Sequence, residues 1–184
     1  MTDLKWIKSG SRYNQVEGEI ESVPAIPPGI YETELTMTGW YLHKTADKFE
    51  FPYKLYDLPN DFLLHLKKTY ECTTGNLGIL FNGIRGTGKT VTAKVFANML
   101  NLPIIIVKSM GDHNDGLISY LSSFNFDCIF FFDEFEKQFD EHDCSILQFM
   151  DGVYSSNSRR VFLLTTNALS INENLLSRPS RIRY

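Results

Sequence analysis

From residue 78 onward, short apolar runs alternate with segments of helical periodicity. The apolar runs are Gly78 to Phe81, Pro103 to Val107, Cys128 to Phe132 and Val161 to Thr165. Helical patterns lie between them, over Thr90 to Leu100, Gly116 to Ser123 and Asp143 to Met150. Apolar runs without polar alternation fit strands buried on both faces, as in a parallel sheet covered by helices. One further helix is predicted from Pro59, with Phe62, Leu63, Leu66 and Tyr70 along one side. The first fifty residues read differently. A polar lead-in reaches the turn Ile26-Pro27-Pro28-Gly29, and an alternating run follows from Ile30 to Met37. After Thr38-Gly39 comes a second run, Trp40 to Lys44. Period-two alternation about a glycine turn predicts a β-hairpin; the alternative is a loosely attached N-terminal arm. The expected organisation is a small β-rich extension over 1–50 and an α/β core over 51–184.

Composition narrows the class. A length of 184 residues suits one domain, or one domain with an appendage. With 43% hydrophobic and 22% charged residues, disordered, collagen-like and coiled-coil chains are poor fits. The net charge of -4 gives no overall support for nucleic-acid binding. Cys72, Cys128 and Cys144 show no CxxC spacing, which points to a reducing interior with thiols used as small apolar groups. None of His43, His65, His113 and His142 has zinc-like spacing to a cysteine. Met1 to Gly10 has no apolar signal core, and no apolar run approaches the roughly 20 residues of a membrane span. A soluble, intracellular, cytoplasmic protein is expected.

Three segments carry candidate chemistry. Gly83-Ile84-Arg85-Gly86-Thr87-Gly88-Lys89-Thr90 fits G-x-x-x-x-G-K-[ST], between a predicted strand and a predicted helix. Glycines let the backbone curl so that successive N–H groups face phosphate oxygens, and the helix presents its positive end to the same anion. Lys89 would reach the β- and γ-phosphates, and the Thr90 hydroxyl would ligate Mg²⁺. The plain alternative is a glycine-rich turn with an incidental lysine.

The run Cys128 to Phe132 leads directly into Asp133-Glu134. A buried parallel strand ending in two acids places them at the carboxyl edge of the sheet, beside the phosphate loop. Asp133 would hold Mg²⁺ and Glu134 would activate the attacking water as general base. Asp133, Glu134 and Glu136 would also suit a helix start. Val161 to Thr165 continues into Thr166-Asn167, and Asn167 would either bind water and γ-phosphate or cap a turn. Arg178 and Arg181 would either stabilise charge on a transferring phosphoryl group or solvate the surface.

Together these residues resemble an AAA ATPase core, within the wider AAA+ class of P-loop machines. Gly83 to Thr90 looks like its Walker A, and Phe131-Phe132-Asp133-Glu134 like its Walker B. Asn167 is similar to its sensor-1 residue. Leu147-Gln148-Phe149-Met150-Asp151-Gly152 resembles the opening of its second region of homology. Leu175-Leu176-Ser177-Arg178-Pro179-Ser180-Arg181 resembles the end of that region, with Ser180 where glycine is usual. The resemblance covers roughly Asp57 to Tyr184.

It implies a three-layer P-loop fold, ATP and Mg²⁺ as ligands, and a homo-oligomeric ring, commonly a hexamer. Arg178 and Arg181 would act as arginine fingers on a neighbour's ATP. Hydrolysis would be coupled to remodelling a macromolecule, and the net charge of -4 favours a protein over nucleic acid. Lys108-Ser109-Met110-Gly111 occupies the family's pore-loop place, with Met110 as the gripping residue, and Tyr56-Asp57-Leu58 lies where adenine usually binds. The family's fifth core strand and its helical lid are expected to be missing, since the chain given ends at Tyr184. Two other functions compete with the motor: a nucleotide-gated scaffold with little turnover, and a DNA-associated loader.

Overall fold

Cys128–Phe132 contains no polar side chain, and all five residues are buried. Such a strand needs apolar cover on both faces, and it sits in the interior of a sheet that provides it. The computed structural model describes residues 4–9, 11–18, 20–56, 58–139, 144–151, 158–167 and 182. Its strands are β1 (Leu4–Ser9), β2 (Arg12–Glu17), β3 (Gly29–Thr36), β4 (Gly39–Ala46), β5 (Leu77–Asn82), β6 (Pro103–Ile106), β7 (Cys128–Phe132) and β8 (Arg160–Thr166). Its helices are α1 (Asn60–Cys72), α2 (Lys89–Leu100), α3 (Asn114–Ser122), the single turn α4 (Phe135–Gln138) and α5 (Cys144–Met150).

Among the described residues, β3 to β8 form a six-stranded sheet in the order β4-β3-β6-β7-β8-β5. Strands β3, β6, β7, β8 and β5 run parallel, and only β4 is antiparallel, to β3. The period of two along β7 divides the core. Cys128, Phe130 and Phe132 face one way, with Leu117, Leu121, Phe149 and Met150 of α3 and α5. Ile129 and Phe131 face the other way, with Leu63 and Leu66 of α1 and Ala93 and Phe96 of α2. Helices therefore cover both faces, giving the expected three-layer α/β arrangement. Burial pushes the Cys128 thiol up to about 12, so this cysteine behaves as a small apolar group.

Phe130 is the centre of the first cluster. Its ring lies 4.9 Å from that of Phe149, edge to face, and 5.6 Å from that of Phe162, stacked. With 0% exposure, truncation would leave a cavity that backbone hydrogen bonding on both sides prevents from collapsing. Phe130→Ala is expected to destabilise the fold by about 3–5 kcal/mol, read from the shift in a urea unfolding midpoint.

The hairpin expected between Ile30 and Lys44 is present as β3 and β4. β3 also pairs in parallel with β6, from Gly29 opposite Pro103 to Glu32 opposite Ile106. The N-terminal hairpin thus extends the core sheet in one continuous hydrogen-bonded ladder. The polar lead-in contains a second hairpin that sequence patterning missed: among the described residues, β1 and β2 pair antiparallel with each other and with no other strand.

Candidate nucleotide site

Strand order is what builds the site. β8 lies between β5, which leads into the phosphate loop, and β7, which ends in the acids. The residue leaving β8 therefore stands between the two motifs at the carboxyl edge of the sheet, where ligands of open α/β sheets bind.

The loop itself is shaped by glycine. Gly86 and Gly88 both have φ of +81°, a conformation that side chains with a Cβ rarely adopt. Gly88 caps α2 without any side-chain hydrogen bond, so the first amides of this twelve-residue helix are left for an anion or solvent. Lys89 holds the curl from inside. Its Nζ donates to the carbonyls of Gly83 at 2.7 Å and Ile84 at 2.8 Å, and to Asn167 Oδ1 at 2.9 Å. Thr87 Oγ1 donates to the same Ile84 carbonyl at 2.9 Å. Ile84 and Arg85 remain exposed at the loop's tip.

At the acid edge, Asp133 Oδ1 accepts from two hydroxyls, Thr90 Oγ1 at 2.8 Å and Thr165 Oγ1 at 2.6 Å. Glu134 has φ 51° and ψ 53°, the left-handed region, which is uncommon for a residue other than glycine. Its amide donates to Thr165 Oγ1 at 2.9 Å. Its carboxylate accepts from Asn167 Nδ2 at 3.2 Å, pairs with Lys137 Nζ at 2.6 Å and lies 3.9 Å from Arg85 Nη2. The Lys137 and Glu134 side chains are 46% and 40% exposed, and such surface pairs contribute about 0–1 kcal/mol. The pair therefore holds Glu134 only weakly.

Asn167 joins the motifs, because its side chain touches both Lys89 and Glu134. Glu136 fixes it in turn: Oε1 accepts from the Asn167 amide at 3.1 Å and from Nδ2 at 3.3 Å. Burial acts to raise the Glu136 pKa, but hydrogen bonds from Asn167, its own backbone and the Thr166 hydroxyl outweigh it and hold the carboxyl below its ordinary value. Gln138 makes a second brace, donating to the Asp133 carbonyl at 2.6 Å and accepting from the Ser109 amide at 3.2 Å.

An open cleft of about 510 Å³ has Arg85, Lys89, Thr90, Asp133, Glu134 and Asn167 among its walls. The volume suits a nucleotide-sized ligand. The Thr90 hydroxyl and Asp133 carboxylate are hard oxygen donors sharing a 2.8 Å hydrogen bond. That donor set fits Mg²⁺, which takes a few protein oxygens and fills the rest with water and phosphate. A second cleft of about 430 Å³ reaches Asp133 and Glu134 from the β3 side and includes Glu32, Phe49, Lys94 and Lys108. The N-terminal hairpin thereby borders the acid edge.

All the predicted positions from Gly83 to Thr90, with Asp133, Glu134 and Asn167, are thus gathered at one edge of the sheet. Arg178 and Arg181 lie outside the described residues, as does Asp57 of the segment expected near adenine. Its flanking residues Tyr56 and Leu58 do not line the cleft. Met110, expected as the apolar gripping residue of the pore-loop place, is half-buried and packs against the first core cluster. Its amide is held by Asn114 Oδ1 at 2.8 Å. Thr165 and Gln138 were not singled out by sequence. Thr165 ends an apolar run, where only its hydroxyl gives a signal, and Glu136 read as an acid at a helix start.

One family model matches the chain, that described as ATPase family associated with various cellular activities (AAA), over residues 79–184. This is more than half of the sequence and includes the phosphate loop, Asp133, Glu134, Asn167, Arg178 and Arg181, while Tyr56 to Leu58 lie before it. No curated protein matches.

Proposed function

This chain belongs to the AAA family of ATPases, and from that premise we propose that it binds ATP with Mg²⁺ in the cleft between Lys89 and Glu134 and hydrolyses it. The observation that carries the reading is the joint placement of three motifs by β5, β8 and β7, with Asn167 in hydrogen-bond contact with both Lys89 and Glu134. The loop amides and Lys89 bind the phosphates, and Thr90 with Asp133 provides the oxygen ligands for the metal. Mg²⁺, when bound, neutralises charge on the phosphate oxygens. Glu134 takes a proton from water as its oxygen bonds to the γ-phosphorus, and the bond from that phosphorus to the bridging oxygen breaks to release ADP. Asn167 orients the water. Its tie to Glu136 keeps it aimed before nucleotide arrives.

The proposal extends to assembly. The chain works in a homo-oligomeric ring, hexameric by analogy with the family, and couples turnover to remodelling a partner. A protein partner is favoured because the net charge is -4, which gives little attraction to a polyanion. Arg178 and Arg181 act on the neighbour's ATP. The specific ATPase rate should then rise with protein concentration, and Arg178→Ala should lower it by about 10³-fold while leaving ATP affinity within about threefold. A rate independent of concentration and unchanged in the variant would remove the ring and finger reading.

A further inference from the structure

Among the described residues, only the Thr165 hydroxyl bonds both acid positions: it donates to the Asp133 carboxylate at 2.6 Å and accepts from the Glu134 amide at 2.9 Å. We propose that Thr165 is a positioning residue for hydrolysis, fixing the metal-holding carboxylate of Asp133 and the strained backbone of Glu134 in one register through a single hydroxyl. This rests on the hydrolytic reading above and assigns a role to a residue outside its motifs.

The direction of these bonds is settled by chemistry. The amide can only donate and an ionised carboxylate can only accept. The Thr165 hydrogen must therefore point at Asp133 Oδ1, and its lone pair at the Glu134 N–H. Asp133 rotates about a soft terminal torsion. Two donors on the same oxygen, Thr90 from α2 and Thr165 from β8, define that rotation. Oδ2 takes no hydrogen bond among the described residues, which leaves it to face the cleft. Glu134, for its part, leaves β7 in the left-handed region. As the cap of the four-residue α4, its amide has no partner within that turn, and Thr165 provides one.

The position is also informative. β8 reads Val161-Phe162-Leu163-Leu164 before Thr165, all buried, and Thr165 itself is 1% exposed. Packing alone would be met by valine, which has nearly the same shape. A hydroxyl there is useful only through its partners, and both partners belong to the acid edge.

Thr165→Val and Thr165→Ser separate the proposal from a purely structural role. Three readouts are compared: kcat, the gain in ATP affinity on adding Mg²⁺ by calorimetry, and hydrogen exchange of the Glu134 amide in the nucleotide-free chain by NMR. Removing a residue that orients a ligand typically costs 10–100-fold. Thr165→Val should therefore lower kcat by about tenfold or more, reduce the Mg²⁺-dependent gain at least about fivefold, and leave Mg²⁺-free ATP affinity within about twofold. The Glu134 amide should exchange about tenfold faster. Thr165→Ser should restore all three to within about threefold of wild type. If Thr165→Val lowers only the melting temperature, with kcat, Mg²⁺ gain and amide exchange unchanged, the proposal is overturned. If the valine variant does not fold, Thr165→Ala is judged by the same criteria. If wild type itself releases no phosphate, the hydrolytic reading fails. The Mg²⁺ gain and the amide exchange then still decide whether the hydroxyl ties the two acids together.

Discussion

Lys89→Ala is expected to weaken ATP binding by at least about 100-fold, measured by calorimetry with Mg²⁺ present. The estimate follows from the contacts the ammonium makes. Hydrogen bonds involving a charged group contribute about 1.5–3 kcal/mol each, and about 1.4 kcal/mol is tenfold in affinity. Losing two such bonds to phosphate oxygens accounts for the expected effect. Alanine would also remove the post around which the loop curls, since Nζ is the donor to the Gly83 and Ile84 carbonyls. Arg85 lines the same cleft but has a side chain 74% exposed, so it is poorly placed to substitute. An affinity unchanged by Lys89→Ala would mean that the phosphates bind elsewhere.

Glu134→Gln has the second large effect, of a different kind. Glutamine keeps the shape and can still accept from Asn167 Nδ2, but it cannot take a proton from water at neutral pH. ATP affinity should stay within about threefold, while kcat falls about 10²–10⁴-fold, the usual share of a general base. The same change dissolves the ion pair with Lys137. That pair is exposed and contributes little, so stability should be almost unaltered. The split between preserved binding and lost turnover identifies Glu134 as a base rather than a binding residue. A variant hydrolysing ATP at the wild-type rate would transfer the role to another group.

Much of this arrangement was legible in the sequence because the relevant signals are local. An unbroken apolar run such as Cys128 to Phe132 can only be a buried segment, and the spacing of Gly83, Gly88 and Lys89 defines a loop by backbone geometry alone. Strand order is not local. Nothing within Val161 to Thr166 states that β8 lies between β5 and β7, and only that order brings Asn167 to Lys89. The parallel pairing of β3 with β6 is hidden for the same reason. Side-chain direction was lost too. Thr165 reads as one more strand residue, and Glu136 as an acid near a helix start, until their hydrogen bonds place them beside Asp133 and Asn167. The pair β1 and β2 was missed because Leu4–Ser9 and Arg12–Glu17 are rich in polar residues and, among the described residues, pair only with each other. Arg178 and Arg181 are known from sequence pattern alone.

Phosphate release from ATP, followed side by side in the wild-type chain and Glu134→Gln, each with and without Mg²⁺ and after ATP binding has been verified in both, decides whether this cleft is hydrolytic. Wild type should release phosphate saturably and only with Mg²⁺, and the variant almost not at all. Equal release by the two proteins, or ATP binding by wild type with no release above the variant, would overturn the hydrolytic role of Glu134.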